Sequence, residues 1–134
     1  MKEDKDSQEL IFKLNLFEQQ MQQIQEQTQA IDQAIFDSNS LCSGLDEFKN
    51  SKDKEVFSSI GRGIFIRSKL ISDELLVDVG GKNFVQKSIP ETQSIIEEQL
   101  EKLEEAKNEL EEKTQEINQE LTKLMIQYQE EQEK

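Results

Sequence analysis

Two long stretches of this chain place an apolar residue at alternating steps of three and four, and that spacing dictates most of what can follow. In the first, Leu14, Phe17, Met21, Ile24, Thr28, Ile31, Ile35, Ser38, Cys42 and Leu45 form one unbroken heptad seam, and Leu10 extends it one step back. In the second, the seam runs Ile96, Leu100, Leu103, Lys107, Leu110, Thr114, Ile117, Leu121, Leu124 and Tyr128. Eight of the ten positions are apolar in each, counting Cys42, and Gln, Glu, Lys and Asn fill most of the other faces. Neither helix can bury its stripe alone. Each arm amounts to roughly 60–70 Å of helix at the standard rise. The simplest partner for each is the other, folded back antiparallel; the alternative is that each arm pairs with another molecule. A residue-number sum of 142 matches the polar breaks Thr28 and Thr114, and also Leu14 with Tyr128 and Ile35 with Lys107.

The boundaries follow from local chemistry. The first arm is expected over 5–51, with acids near its start and Asn50-Ser51 as its stop. The second is expected over 90–133, opening on Pro90, whose missing N–H is harmless in a first turn, and on Glu91, which suits the positive end of the helix dipole.

Between them, residues 55–89 lose the heptad and gain β-branched and aromatic residues. Glu55–Ile60, Ile64–Ile71, Leu75–Val79 and Asn83–Ile89 read as four strands in two successive hairpins. Gly61-Arg62-Gly63, Ser72-Asp73-Glu74 and Gly80-Gly81-Lys82 supply the turns. The expected fold class is therefore mostly α with a small β insert: a long antiparallel coiled-coil hairpin with two β-hairpins at its connecting end. A four-stranded element of this size is marginal alone, and its edges invite strand addition. Ile60, Ile64, Ile66, Val77, Val79, Phe84 and Val85 are too many apolar groups for a small exposed sheet, so the insert is expected to be a subunit-assembly surface. The competing possibility is a self-contained cap on the coiled coil.

Composition excludes several function classes. The net charge is −13, a poor match to nucleic acid or anionic lipid. Residues 1–51 carry ten acids and four bases, residues 91–134 fourteen and five, but residues 52–90 only five acids against seven bases. With one cysteine and no histidine, neither an internal disulfide nor the usual Cys/His zinc site can be built. No run of about 18 apolar residues exists to span a membrane, and the N-terminus lacks a signal-peptide stretch. The expected setting is the cytoplasm. The glycine turns have neither the spacing nor the Lys-Ser/Thr ending of a phosphate loop. Cys42 lies on the seam with no histidine to activate it, and the glutamates have no enclosing pocket. No cofactor is expected, and no catalytic constellation.

Two heptad arms flanking two hairpins resemble the archaeal-type alpha-class prefoldin subunits. The resemblance covers nearly the whole chain. It is most specific at Val56-Phe57-Ser58-Ser59-Ile60-Gly61-Arg62-Gly63-Ile64-Phe65-Ile66, Leu76-Val77-Asp78-Val79-Gly80-Gly81 and Phe84-Val85-Gln86-Lys87-Ser88. Ser59 stands where the family often has proline, and two hairpins rather than one point to the alpha class. The resemblance implies one prefoldin-like domain over 1–134 and an ATP-independent holdase function. It further implies assembly with beta subunits into an alpha2 beta4 hexamer through an oligomeric β-barrel of hairpins, and delivery of unfolded polypeptides to a group II chaperonin. The alternative is a non-chaperone scaffold subunit of a prefoldin-like complex.

The arm tips, where the termini meet, are the expected client site. Ile11, Phe12 and Leu16 are apolar off the seam, beside Leu10, Leu14 and Phe17. Met125 and Ile126 are likewise off the seam, beside Leu124 and Tyr128. Contiguous exposed apolar residues mark binding surfaces. Leu10, Ile11, Phe12, Leu16, Met125, Ile126 and Tyr128 are thus the expected client-binding set; the alternative is that they merely seal the tip.

Overall fold

A computed structural model describes residues 2–133. The element order is α1 (Lys2–Asp46), β1 (Glu55–Gly61), β2 (Ile64–Lys69), β3 (Leu75–Asp78), β4 (Phe84–Lys87) and α2 (Ile89–Glu133). The chain divides into two compact units, residues 1–35 with 102–134, and residues 36–101.

In the first unit α1 and α2 run antiparallel. Tyr128 lies beside Asp6, Ser7 and Leu10, Leu124 beside Phe17, Ile117 beside Ile24, and Thr114 beside Met21 and Thr28. Every seam position from Leu10 to Ile35 and from Leu103 to Tyr128 is buried or half-buried. Their nearest neighbours on either side are mostly exposed, as a two-helix seam requires. Thr28 and Thr114 line one groove, in keeping with the residue-number sum. Lys107 instead bonds Asp32, its Nζ 2.8 Å from Oδ1, one turn away from the expected Ile35. Ile35 offers no acceptor, and the long lysine stem reaches to one.

The second unit holds the last turns of α1, both hairpins and the start of α2. Its core is Leu45, Ile89 and Ile96, with Cys42, Leu75 and Leu100 packed against them. α1 ends at Asp46, five residues before the expected stop. The chain passes into tightened turns in which the N–H groups of Glu47, Phe48 and Lys49 donate to the carbonyls of Gly44, Leu45 and Asp46. Asn50 then takes φ 58°, a left-handed conformation that Asn tolerates. The buried Ser51 donates its hydroxyl to the Phe48 carbonyl.

The expected fourth strand stops at Lys87, and α2 begins at Ile89 rather than Pro90. Ser88 is the N-cap: its Oγ accepts the Glu91 N–H at 3.2 Å, and its hydroxyl proton faces the Glu91 carboxylate, 3.2 Å away. The sequence Ser-x-x-Glu is that of a capping box, but the Glu91 carboxylate returns to the Ser88 hydroxyl rather than to its N–H. The cap turns Ile89, expected on a strand, into the most deeply buried apolar side chain described, 2% exposed. Gln93 ties the two helices of this unit together, donating to the Cys42 carbonyl at 3.1 Å and to Asp46 Oδ1 at 2.7 Å.

The hairpins form two separate two-stranded ribbons, β1–β2 and β3–β4, and do not share a sheet. Both turn on two residues of positive φ, the conformation that matches strand twist: Arg62 (53°) with Gly63 (78°), and Gly81 (60°) with Lys82 (63°). In the second turn the Asn83 N–H donates to the Gly80 carbonyl at 3.1 Å. β2 and β3 are shorter than expected, ending at Lys69 and Asp78.

Candidate functional site

Two surfaces carry exposed large apolar side chains, one in each unit. The first is the tip of the helix pair, where the ends of α1 and α2 meet. Leu10 and Tyr128 are seam residues and half-buried, so they form the floor of the tip rather than its exposed face. Ile11, Phe12, Leu16, Met125 and Ile126 are all exposed, from 42% for Met125 to 65% for Phe12. Helical rotation sorts them. Phe12 and Leu16 stand four residues apart and share one face of α1. Ile11 leaves the helix about 100° from Phe12. It directly follows the seam residue Leu10, as Met125 follows Leu124, and in an antiparallel pair those two positions lie along the same flank. The expected set is thus a floor (Leu10, Tyr128), a flank joining the helices (Ile11, Met125), a ridge on α1 (Phe12, Leu16), and Ile126 next to Met125 on α2.

The second surface is the pair of ribbons. In β1–β2, partners share a face: Ser58 with Ile66, Phe57 with Arg67, Ser59 with Phe65. Ile60 is the extra residue where the register shifts between Ser59 and Gly61, and it is 66% exposed. Ile64 and Ile66 are exposed on one face, Phe57 and Phe65 on the other. The Arg67 guanidinium lies 5.5 Å from the Phe57 ring centre, a cation–π contact. Both faces of this ribbon thus carry exposed apolar side chains. In β3–β4, Val77 pairs with Val85 and shares the face of Leu75, which packs on the helix core. Val77 is accordingly half-buried within its own unit, while Val85 remains exposed. Leu76 and Phe84 occupy the opposite face, and Val79 follows the strand; all three are exposed.

Sequence reasoning passed over Phe57, Phe65, Ile71 and Leu76, all exposed large apolar side chains. The signal was present. Strand alternation puts Phe65 on the face of Arg67 and Lys69, opposite Ile64 and Ile66. Phe36, Leu41 and Phe48, exposed on or just beyond the last turns of α1, were also missed.

Among the described residues, no group of three His, Cys, Asp or Glu side chains is placed to hold a metal ion, and no helix is long and apolar enough to cross a membrane. Two titratable groups are perturbed, both by pairing. Asp46 is held below the usual carboxylate range by the Gln93 hydrogen bond and then by Lys49. Lys107 is held above the usual lysine value chiefly by Asp32.

Known proteins share this architecture. The family model described as prefoldin subunit matches residues 17–134. The prefoldin subunit alpha of Methanobrevibacter smithii is 29% identical over 97 residues, spanning 72% of this chain and 66% of that protein. The prefoldin subunit alpha of Methanosphaera stadtmanae is 26% identical, spanning 66% of this chain and 64% of its own length. The prefoldin subunit alpha 1 of Methanocaldococcus jannaschii is 27% identical, over 68% and 63%. The chain thus spans slightly less than two thirds of the length of the curated relatives it matches. In fold it superposes on a chain from a cryo-EM structure of filamentous PFD from Methanocaldococcus jannaschii with a TM-score of 0.78 at 19% identity, covering 86% of this chain and 97% of that one. The family match covers most of the chain, the two-helix, two-ribbon architecture agrees with it, and the chain therefore belongs to the prefoldin subunit family, aligning with its alpha subunits.

Proposed function

We propose that this chain is the alpha-type subunit of an ATP-independent co-chaperone that holds non-native polypeptides at its helix tips and passes them to a group II chaperonin. Membership of the prefoldin family supports the co-chaperone role. The observation that carries the tip assignment is the exposure of Ile11, Phe12, Leu16, Met125 and Ile126 on helices whose outward positions are otherwise mostly Gln, Glu and Lys. Each apolar side chain removed from water on contact contributes up to about 1.5–3 kcal/mol. Met and aromatic groups repack against varied partners, which suits a holder of many clients. The ribbons, apolar on both faces, join this chain to beta-type partners, in the proposed alpha2 beta4 hexamer, within a shared β-barrel. The proposed setting is the cytoplasm. No step consumes a nucleotide, and the chain acts as a binding protein rather than an enzyme.

The deciding experiment is light scattering of a chemically unfolded protein diluted into buffer with the assembled oligomer and no ATP. Suppression is expected. Replacing Ile11, Phe12, Leu16, Met125 and Ile126 by Ser is expected to abolish it with the oligomer intact by size-exclusion chromatography. Suppression that survives these replacements would move the site elsewhere. An assembled oligomer that suppresses nothing would make the complex a scaffold with helical spacers.

A further inference from the structure

The open edges of the two ribbons differ in what they offer an added strand. β1 is interrupted by the bulge between Ser59 and Gly61, and a bulge blunts an edge. β3 and β4 have four residues each, and very short strands make poor templates. β2 is a run of six, Ile64–Lys69, with neither bulge nor proline. Its hydrogen-bonding sense is fixed. Leu70, just beyond it, turns both its C=O and its N–H to the β1 side, where they meet the Asp53 N–H and the Lys54 C=O. Strand alternation then directs Ile64, Ile66 and Ser68 to β1 and leaves the N–H and C=O groups of Phe65, Arg67 and Lys69 along the open edge.

We infer that β2 pairs antiparallel with β2 of a second copy of this chain, about a two-fold axis at Ile66, and so joins the two copies in the proposed alpha2 beta4 hexamer. This rests on the proposed assembly through the ribbons. The edge is complementary to itself, as a two-fold interface requires. Only residues whose polar groups point outward can bond one another, so Phe65, Arg67 and Lys69 must face members of the same set, which also keeps like faces together. Two such registers retain the longest overlap, one centred on Arg67 and one on Ile66. Centring on Arg67 sets two guanidinium groups directly opposite each other, which their like charge disfavours. Centring on Ile66 sets Ile66 against Ile66 and Arg67 against Phe65. One face of the joined sheet then carries Val56, Ser58, Ile64, Ile66 and Ser68 from each copy, with no charge among them. On the other, each Arg67 guanidinium, already 5.5 Å from the Phe57 ring centre of its own ribbon, gains the Phe65 ring of the second copy on its open side. Lys69, whose charge would discourage an added strand, falls beyond the overlap.

The test is disulfide trapping in the assembled oligomer, in a Cys42→Ala background that leaves the introduced thiol alone on this chain. Ile66→Cys replaces an exposed side chain. Under mild oxidant it is expected to give a covalent pair of this chain on non-reducing denaturing electrophoresis, because directly opposed residues at a non-hydrogen-bonded position have Cα atoms about 4.5 Å apart. Arg67→Cys is expected to link at least about tenfold more slowly, since its diagonal separation of about 7–8 Å lies outside disulfide range. In the unsubstituted oligomer the Phe65 and Arg67 amides are expected to be protected from hydrogen exchange. Faster linking through Arg67→Cys, equal linking of both, linking of neither in an intact oligomer, or unprotected Phe65 and Arg67 amides would overturn the β2 pairing and leave assembly through the ribbons standing. A native chain that forms no oligomer with beta-type subunits would overturn that assembly itself.

Discussion

Lys107 shows how one side chain can be legible while its partner is not. It interrupts an apolar seam, which is visible in the heptad. The residue-number sum sets it opposite Ile35, but the ammonium bonds Asp32, which lies off the seam and carries no periodic signal. The pairing holds the lysine above its ordinary pKa. Its contribution to stability is therefore present at neutral pH and is lost as pH rises through that elevated value. Asp46 has the opposite sign. Its carboxyl is held low by Gln93 and Lys49, so its contribution is present at neutral pH and lost on acidification through the lowered value. Both groups are substantially solvent-exposed, and exposed pairs contribute little. Lys107→Leu should therefore raise the thermal midpoint at pH 8, because a leucine on the seam replaces a weak ion pair with apolar burial. It should also narrow the loss of midpoint between pH 8 and pH 11. Circular dichroism melts at the two pH values check both, and a lower midpoint in the variant would show that the pair outweighs the packing.

At the scale of elements, the start of α2 is where strand and helix signals compete. Alternation continues through Phe84, Val85 and Lys87, so a strand running to Ile89 is a natural reading, and Pro90 marks an obvious helix start. The Ser88 cap prevails because its hydroxyl oxygen accepts the Glu91 N–H, a helix donor otherwise unpaired, and it delivers Ile89 into the core with Leu45 and Ile96. Ser88→Ala should cost about 1 kcal/mol, the usual worth of a capping hydroxyl. Ile89→Ala should cost about 2–5 kcal/mol through lost burial and the cavity it leaves. Urea unfolding followed by helix content measures both, and similar losses would mean that the cap, not the core, holds this junction. The two helices and both hairpins were readable because seam spacing and paired turn residues are local. The end of α1 was not, since its stop depends on tightened turns and on the buried Ser51, which no periodicity marks. Of the tip residues, the five off the seam are exposed as expected, and Leu10 and Tyr128 are floor instead. Their place on the seam already contained that distinction.

At the scale of the whole molecule, the question is what joins weak contacts into a useful hold. Each ribbon has only two strands, so each exposes strand edges as well as apolar faces, and Phe57, at 67% exposed, is as open to water as any tip residue. Pairing these edges with other subunits would bring several tips into one assembly, where modest affinities multiply because each contact after the first is intramolecular. Ile60, Ile64 and Ile66 are exposed and belong to neither the seam nor the Leu45, Ile89 and Ile96 core. Replacing all three by Ser should leave helix content by circular dichroism close to that of the native chain and reduce the mass measured by light scattering to that of unassembled subunits. Suppression of aggregation should then fall by at least tenfold at equal subunit concentration although every tip residue is intact, in keeping with the 10²–10⁴ range of avidity gains. The tip variant, by contrast, should keep its assembly and lose its hold. If the unassembled ribbon variant suppressed aggregation as well as the intact oligomer, holding would reside in single tips, and the apolar ribbons would serve assembly without serving capture.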